Sequence, residues 1–430
     1  MPSERSPRRD GDSRRDVTEQ AAVAADQRWS TRRRALQAIG AAGAVAVAGC
    51  SNLVSFGGPS PDWRRTMSNA SAASPPAVND DVLLVGAQDK QLYAFDATNG
   101  DRAFTYETGG PITARPVASA GDGLAHVRST DGDIYAVDTS GECLWSHEGS
   151  SQYGELATSG SLLVETGLES GDSSLRGFDA ATGDVRFTSS TGRYRRSGLT
   201  AAGLALSVPA GSDRFRVAVL SLADGSVRWE TDPHPSSVGI VADENLVVTS
   251  HDTTVTAYEI GDGTRQWKRT RNDVQSLVGP VLGAQVYLTY EAGDRAGILA
   301  LDRATGAVRW QQPTGYQIRH IEPSADAIFV GSRVADPDGG TNGRLDCFES
   351  DGTRRWKTVS TVPDIENVAL FEQTVLLAAE RELVALDRST GATKWTHEPK
   401  SASRFALVTA ANSAYVSYLD DGAVAKFSLS

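Results

Sequence analysis

One unit returns along this chain at a mean spacing of about 41.5 residues, and self-similarity at such a period points to a stacked or radial repeat array. The unit reads as a short apolar strand, a tight turn carrying Gly, and an aromatic residue. It first appears as Leu92-Tyr-Ala-Phe-Asp96, Asn99-Gly100 and Phe104, and again as Ile134-Tyr-Ala-Val-Asp138, Gly141 and Trp145. Further copies centre on Asp179 with Phe187, Ser221 with Trp229, Glu259 with Trp267, Asp302 with Trp310, Glu349 with Trp356 and Asp387 with Trp395. A ninth, Val424-Ala-Lys-Phe-Ser428, has no turn or Trp after it.

Each unit predicts four strands and no helix. A β-branched run such as Val82-Leu-Leu-Val85 or Ala327-Ile-Phe-Val330 precedes each hairpin, and a weaker small-residue strand precedes that. The x-Gly turns supply the positive φ that tight hairpins need. Four strands per unit, repeated without helices, predict an all-β chain of four-stranded propeller blades, since radial closure protects the sheet edges. The last unit lacks its outer, Trp-bearing strand, whereas the body opens on Pro61-Asp62-Trp63-Arg64, a Trp strand with no hairpin before it. A strand near Trp63 is therefore expected to complete the final blade and close the ring.

Ala300-x-Asp302-x-x-Thr305-Gly306-x-x-x-Trp310 and Ala385-x-Asp387-x-x-Thr390-Gly391-x-x-x-Trp395 resemble the tryptophan-docking repeat of quinoprotein-type, or PQQ-like, propellers. The likeness covers about residues 62–430. Departures are Phe104 and Phe187 for Trp, Ser221 and Glu259 for Asp, and turns one residue shorter after Asp138 and Glu349. The resemblance implies that Trp63, Trp145, Trp229, Trp267, Trp310, Trp356 and Trp395 pack between neighbouring blades and that the Asp residues cap turns. It also implies eight blades, the family norm, although nine repeat units are counted.

The N-terminus reads as an address. Residues 1–30 are polar and without apolar periodicity, which predicts disorder. Thr31-Arg32-Arg33-x-x-Leu36 resembles a twin-arginine export signal, with Ala35 and Gln37 as departures. The apolar run to Gly49 would span roughly 22 Å as a helix, short of a ~30 Å hydrocarbon core, which suits a signal peptide rather than a permanent span. Val47-Ala48-Gly49-Cys50 resembles a lipobox, implying cleavage before Cys50 and lipid on its sulfur. The expected organisation is residues 1–49 as signal peptide, 50–61 as flexible tether and 62–430 as propeller. The expected location is the outer face of the cytoplasmic membrane.

Formal net charge is −12. Residues 1–49 carry nine Arg against six acids, so the remainder holds 33 basic and 48 acidic residues, a net of −15. Such a surface argues against nucleic acid, which needs a positive field. Only six of the 42 basic residues are Lys. This pattern resembles proteins of salt-loving archaea, and a GC-rich genome accounts for it equally.

Chemistry is sparse in the sequence. Three Cys make no disulfide framework and form no adjacent pair of the kind quinoprotein dehydrogenases hold over their cofactor, so PQQ is not expected. None of the six His has zinc-site spacing, and no nucleophile elbow or P-loop occurs. His147 and His397, each two residues after a Trp, are expected to face solvent. Asp336-Pro-Asp-Gly-Gly-Thr-Asn-Gly343 could coordinate calcium, although a long blade loop explains it. Arg193-Tyr-Arg-Arg196 is a local basic cluster.

No cofactor, metal or catalytic residue is therefore assigned. The expected function is a non-catalytic, membrane-anchored extracytoplasmic scaffold, monomeric in its body, that binds envelope or cell-surface proteins. Its architecture is similar to the propeller lipoprotein of bacterial outer-membrane β-barrel assembly, a role that would not transfer to an archaeal source. The alternatives are a small-ligand or carbohydrate-binding propeller and a quinoprotein-like oxidoreductase; the fold itself does not choose among them.

Overall fold

The computed structural model describes residues 60–429, apart from 68–71, 80, 119–122, 150–154, 167–174, 190–195, 212–213, 235–238, 294, 315, 336–340, 361–364, 380–381 and 399–403. Every described residue falls in one compact unit, Gly57–Ser430. Cys50, Arg32 and Arg33 lie outside the described residues, as do the tip of the Asp336 hairpin and Arg193 to Arg195.

The described residues form nine four-stranded antiparallel sheets. Blade 1 comprises Ala77–Asn79, Val82–Gly86, Gln91–Asp96 and Arg102–Glu107, ordered from the inner strand outward. Blades 2 to 8 repeat that order over Val117–Glu148, Glu155–Ser189, Arg196–Glu230, Gly239–Thr270, Ser276–Pro313, Tyr316–Ser360 and Ile365–His397 in turn. Blade 9 is Phe405–Ala410, Ser413–Tyr418 and Ala423–Ser428, completed by the N-terminal strand Trp63–Thr66 in the register Trp63↔Lys426 to Thr66↔Ala423. Each inner strand touches the inner strand of the next blade, and Ala77–Asn79 touches Phe405–Ala410, so the ring is closed.

Two faces result from the strand directions. The turns between third and outer strands, such as Asp96–Arg102, lie on one face, here called lower. The hairpins between second and third strands, such as Gly86–Gln91, and the crossings between blades lie on the upper face.

The ring has nine blades, not eight. Every counted repeat builds a sheet, and none is left outside the circle. The physical reason lies in the contact between blades. The ring-on-glycine contact that joins two blades is local to that pair and recurs from Gly100 to Gly391, so it does not itself fix how many blades close the circle. The core is accordingly a series of apolar clusters, most of them spanning neighbouring blades, such as Val248, Val255 and Ala257 with Leu288, Leu299 and Leu301.

Eight of the nine rings cover the turn glycine of the following blade, and the ninth, Trp395, stacks on Phe427 at 5.9 Å because blade 9 takes its outer strand from the N-terminal side and has no such turn. Trp63 lies on Gly100, Phe104 on Gly141, Trp145 on Gly183, Phe187 on Gly225, Trp229 on Gly263, Trp267 on Gly306, Trp310 on Gly352 and Trp356 on Gly391. At Gly263, with φ +76°, a Cβ would stand 2.6 Å from the Trp229 ring, so both the backbone and the space demand glycine. Six of the indoles also donate Nε1–H to a carbonyl in that turn, as from Trp267 to Arg303 at 2.7 Å and from Trp356 to Arg388 at 2.9 Å.

The ring needs room in its own blade as well. Across the sheet Trp145 faces Ala136, Trp267 faces Ala257, Trp310 faces Ala300 and Phe187 faces Gly177. Immediately after each of these small residues the register shifts by a bulge. The Asp of the motif caps the turn that follows. Asp96 Oδ1 accepts from the Thr98 and Asn99 amides at 2.8 and 3.0 Å, and Asp302 Oδ1 accepts from Ala304 and Thr305 at 3.1 and 2.9 Å. The shorter turns close one residue earlier, with Gly141 N donating to Asp138 O at 3.0 Å.

Trp63→Ala should remove the ring on Gly100, the bond to Thr98 and the outer rim of the closing blade. The expected loss is about 3–5 kcal/mol. Trp63→Phe should lose about 1 kcal/mol, mainly the indole hydrogen bond. Denaturant unfolding checks both, and equal effects would show that the ring face contributes little.

Candidate functional site

Above the docked rings the interfaces between blades differ, and three of them hold polar chemistry. Between blades 2 and 3, Glu165 is fully buried in the strand Leu162–Thr166, directly after the apolar run Leu162-Leu-Val164. It pairs with Arg128, itself buried on the second strand of blade 2, and with Arg176 at 2.5 Å across its own sheet. The same interface buries His126, whose Nε2 lies 2.8 Å from the Ala180 carbonyl that also accepts from Trp145. In blade 7, fully buried Asp346 accepts from Arg344 at 2.6 Å and Arg354 at 2.8 Å through Oδ1, while Oδ2 has no hydrogen-bond partner among the described residues. Both clusters set two guanidinium groups against one carboxylate.

His147 and His397 do not face solvent as expected. Both are half-buried and turned onto the next blade, His147 at 5.4 Å from the Phe178 ring and His397 at 5.1 Å from Phe427. Strands alternate faces, so the residue two after the Trp shares the Trp's face, and that periodicity was available in the sequence. Elsewhere this position caps the glycine carbonyl, as Arg65 does to Gly100 at 2.8 Å and Thr358 does to Gly391 at 2.6 Å. Burial, followed by the nearby Arg64 charge, depresses the His397 pKa.

The cysteines do not fit a quinone site. Cys347 is buried opposite Trp356 within its sheet, and burial pushes its thiol up to about 11. Cys143 sits on the outer strand of blade 2 and contacts the Trp145 carbonyl at 3.2 Å. The chemistry of adjacent cysteines over a cofactor is therefore not available to them. Among the described residues no His, Cys, Asp and Glu side chains cluster as a metal site.

A cavity of about 270 Å³ opens on the upper face where the ring closes. Ala73 and Pro75 from the crossing into blade 1, Gln88 from its hairpin, Ile112 from the next crossing, and Arg404 and Leu419 from blade 9 line it. Backbone bonds fix this wall, among them Ala73 N to Leu419 O at 3.1 Å and Ile112 N to Ala87 O at 3.0 Å. Arg404, 61% exposed, brings a guanidinium to the rim, 3.2 Å from Asp420. The volume lies just below that of typical small-molecule sites and suits one large side chain. Sequence reasoning missed this site because its lining comes from two stretches, residues 72–113 and 404–419, that are far apart along the chain.

These features define a class: a closed propeller of tryptophan-docked, PQQ-like repeats. The matching family model, described as outer membrane protein assembly factor BamB, covers residues 31–197, 171–337 and 298–429, and the chain belongs to that family. It is similar to the outer membrane protein assembly factor BamB of Nitrosomonas eutropha, with 25% identity over 238 residues, 50% of this chain and 55% of that protein. The match thus spans about half the length of that relative.

Similar folds occur in BamB from Moraxella catarrhalis (TM-score 0.50, 14% identity, 86% of this chain and 99% of that one). They occur also in the computationally designed Ika8 protein (0.53, 16%, 85% and 98%) and in Saccharomyces cerevisiae Sqt1 (0.51, 11%, 85% and 98%). At these identities the likeness is one of fold.

Two outcomes follow from the buried charges. Glu165→Gln removes the charge that offsets Arg128 and Arg176, and should cost about 3–5 kcal/mol in unfolding free energy. A loss below 1 kcal/mol would show the cluster to be hydrated. Glu382, at the upper end of blade 8, has its pKa raised to about 7, first by burial and then by Glu398. The folded value lies above the unfolded one, so its contribution to stability is complete below about pH 4.5 and is lost as pH rises through 7. Glu382→Gln should therefore melt like the wild type at pH 5 and higher than the wild type at pH 8. An unchanged difference across this range would exclude Glu382 as the titrating group.

Proposed function

We propose that this protein is an exported, non-catalytic scaffold, lipid-anchored through Cys50 to the outer face of the cytoplasmic membrane, that binds envelope proteins on the upper face of its ring. Closure of the ring by the N-terminal strand carries the reading. Trp63–Thr66 ties the start of the body to its last blade, and the result is a rigid platform rather than a hinged cleft. Membership of the family described as an outer membrane protein assembly factor supports a protein partner. The lower face is occupied by its own capped turns. The upper face offers the seam cavity, sized for a partner's side chain and rimmed by Arg404. The scaffold works without quinone or calcium.

In-cell photocrosslinking tests this. A crosslinker at Thr113 or Gln88 on the upper face should capture one reproducible set of envelope proteins, and one at Asn99 or Thr182 on the lower face should not. Cys50→Ser should release the protein from the membrane and abolish capture. Equal capture from both faces, or capture independent of Cys50, would overturn the reading and favour a soluble ligand-binding role.

A further inference from the structure

The third polar interface, between blades 4 and 5, gathers cations in a way the scaffold reading does not use. His234 lies on the crossing from blade 4 to blade 5, and His251 ends the second strand of blade 5. Their imidazole rings stack with centroids 4.9 Å apart and planes 30° from parallel. A reciprocal backbone pair with Phe215 fixes His234, His234 N to Phe215 O at 2.6 Å and Phe215 N to His234 O at 2.9 Å.

Further positive charge converges on the pair. Arg214 is held beside His234 by its bond to the Pro233 carbonyl at 2.5 Å. The strand register puts Lys268 on the same face of blade 5 as His251. That face is otherwise hydroxyl-lined. Thr249, Thr254 and Thr256 are buried there, and the Thr254 and Thr270 hydroxyls meet at 3.0 Å. Burial holds His234 below the usual histidine range, His251, Lys268 and Arg214 act in the same direction, and Asp232 opposes them. The other charges facing the pair are Asp252, 3.4 Å from His251 Nδ1, and Arg216, which is paired with Glu230 at 3.0 Å.

Protonating both imidazoles would put four cations around this interface against two exposed acids, Asp232 and Asp252. A doubly charged oxyanion seated among them offsets the repulsion, accepts from imidazolium, ammonium and guanidinium donors, and suits a wall of hydroxyls. We propose that the upper end of the interface between blades 4 and 5 is a binding site for a small tetrahedral dianion, taken up together with protons on His234 and His251. Because ligand and proton favour the same state, each strengthens binding of the other.

Sulfate is the suitable probe, because it stays a dianion from pH 5 to pH 8. Titration calorimetry of the full chain with sulfate, at constant ionic strength in chloride, reads affinity and proton uptake. Binding at pH 6 should be at least tenfold tighter than at pH 8, and its heat should vary with the ionisation enthalpy of the buffer. In spectra of ¹³C-histidine-labelled protein, saturating sulfate should raise the titration midpoints of two of the six histidines. His234→Gln and Lys268→Gln should each weaken binding at pH 6 tenfold, with melting at pH 8 unchanged. Affinity equal at pH 6 and pH 8, histidine midpoints unmoved by sulfate, or wild-type affinity in both variants would overturn the site.

Discussion

An aromatic ring laid on a left-handed glycine is the contact on which this molecule depends. Each blade alone is a four-stranded sheet with two apolar faces and cannot bury them by itself. The ring of one blade, such as Trp310, fills the shallow space over the turn glycine of the next, here Gly352 at φ +88°. Several separate features serve that one contact. The glycine supplies both the conformation and the missing Cβ. In most blades an Ala or Gly two residues before the capping residue, such as Ala300, leaves room beneath the ring, while Val219 and Cys347 take that place under Trp229 and Trp356. The bulge beside it aims the outer strand, and the Asp holds the turn amides. The same geometry also lets the N-terminal strand close the ring, because Trp63 meets Gly100 as Trp145 meets Gly183 and Trp310 meets Gly352.

Docking occupies the lower half of each interface and leaves the upper half free to vary. Blades 7 and 8 fill it with apolar side chains, Leu345 meeting Ile365 there. Blades 2 and 3 fill it with a buried ion cluster, and blades 4 and 5 with hydroxyls, imidazoles and cations. Buried charge does not account for the fold, since apolar side chains at the same positions in other blades do the same work. Its presence at particular interfaces gives a nearly symmetric ring distinct sides.

Much of the fold could be read from the sequence because its determinants are local and repeated. The Gly turns and the Trp spacing lie within one unit of about 41 residues, and the orphan strand at Trp63 matched the strand missing after Ser428. The number of blades was less secure, since nine counted units stood against an expected eight. The reading of His147 and His397 failed because it treated position after the Trp as exposure, when the alternation of the strand turned both rings inward. Charges inside apolar strands, Glu165 after Leu162-Leu-Val164 and Asp346 beside Leu345, were visible as anomalies. Their partners were not.

The sequence by itself determined the unit, its strands, its turns and how its ends would meet, because those follow from backbone conformation and side-chain alternation over a few residues. Only the tertiary structure decided which units touch, how many close the circle, and what faces what across the interfaces. Arg128 meets Glu165, and Arg404 meets a cavity walled by Ile112 and Pro75, only once the ring is closed. The order of residues within a unit does not specify the gap between two units, and that gap is where the candidate chemistry lies.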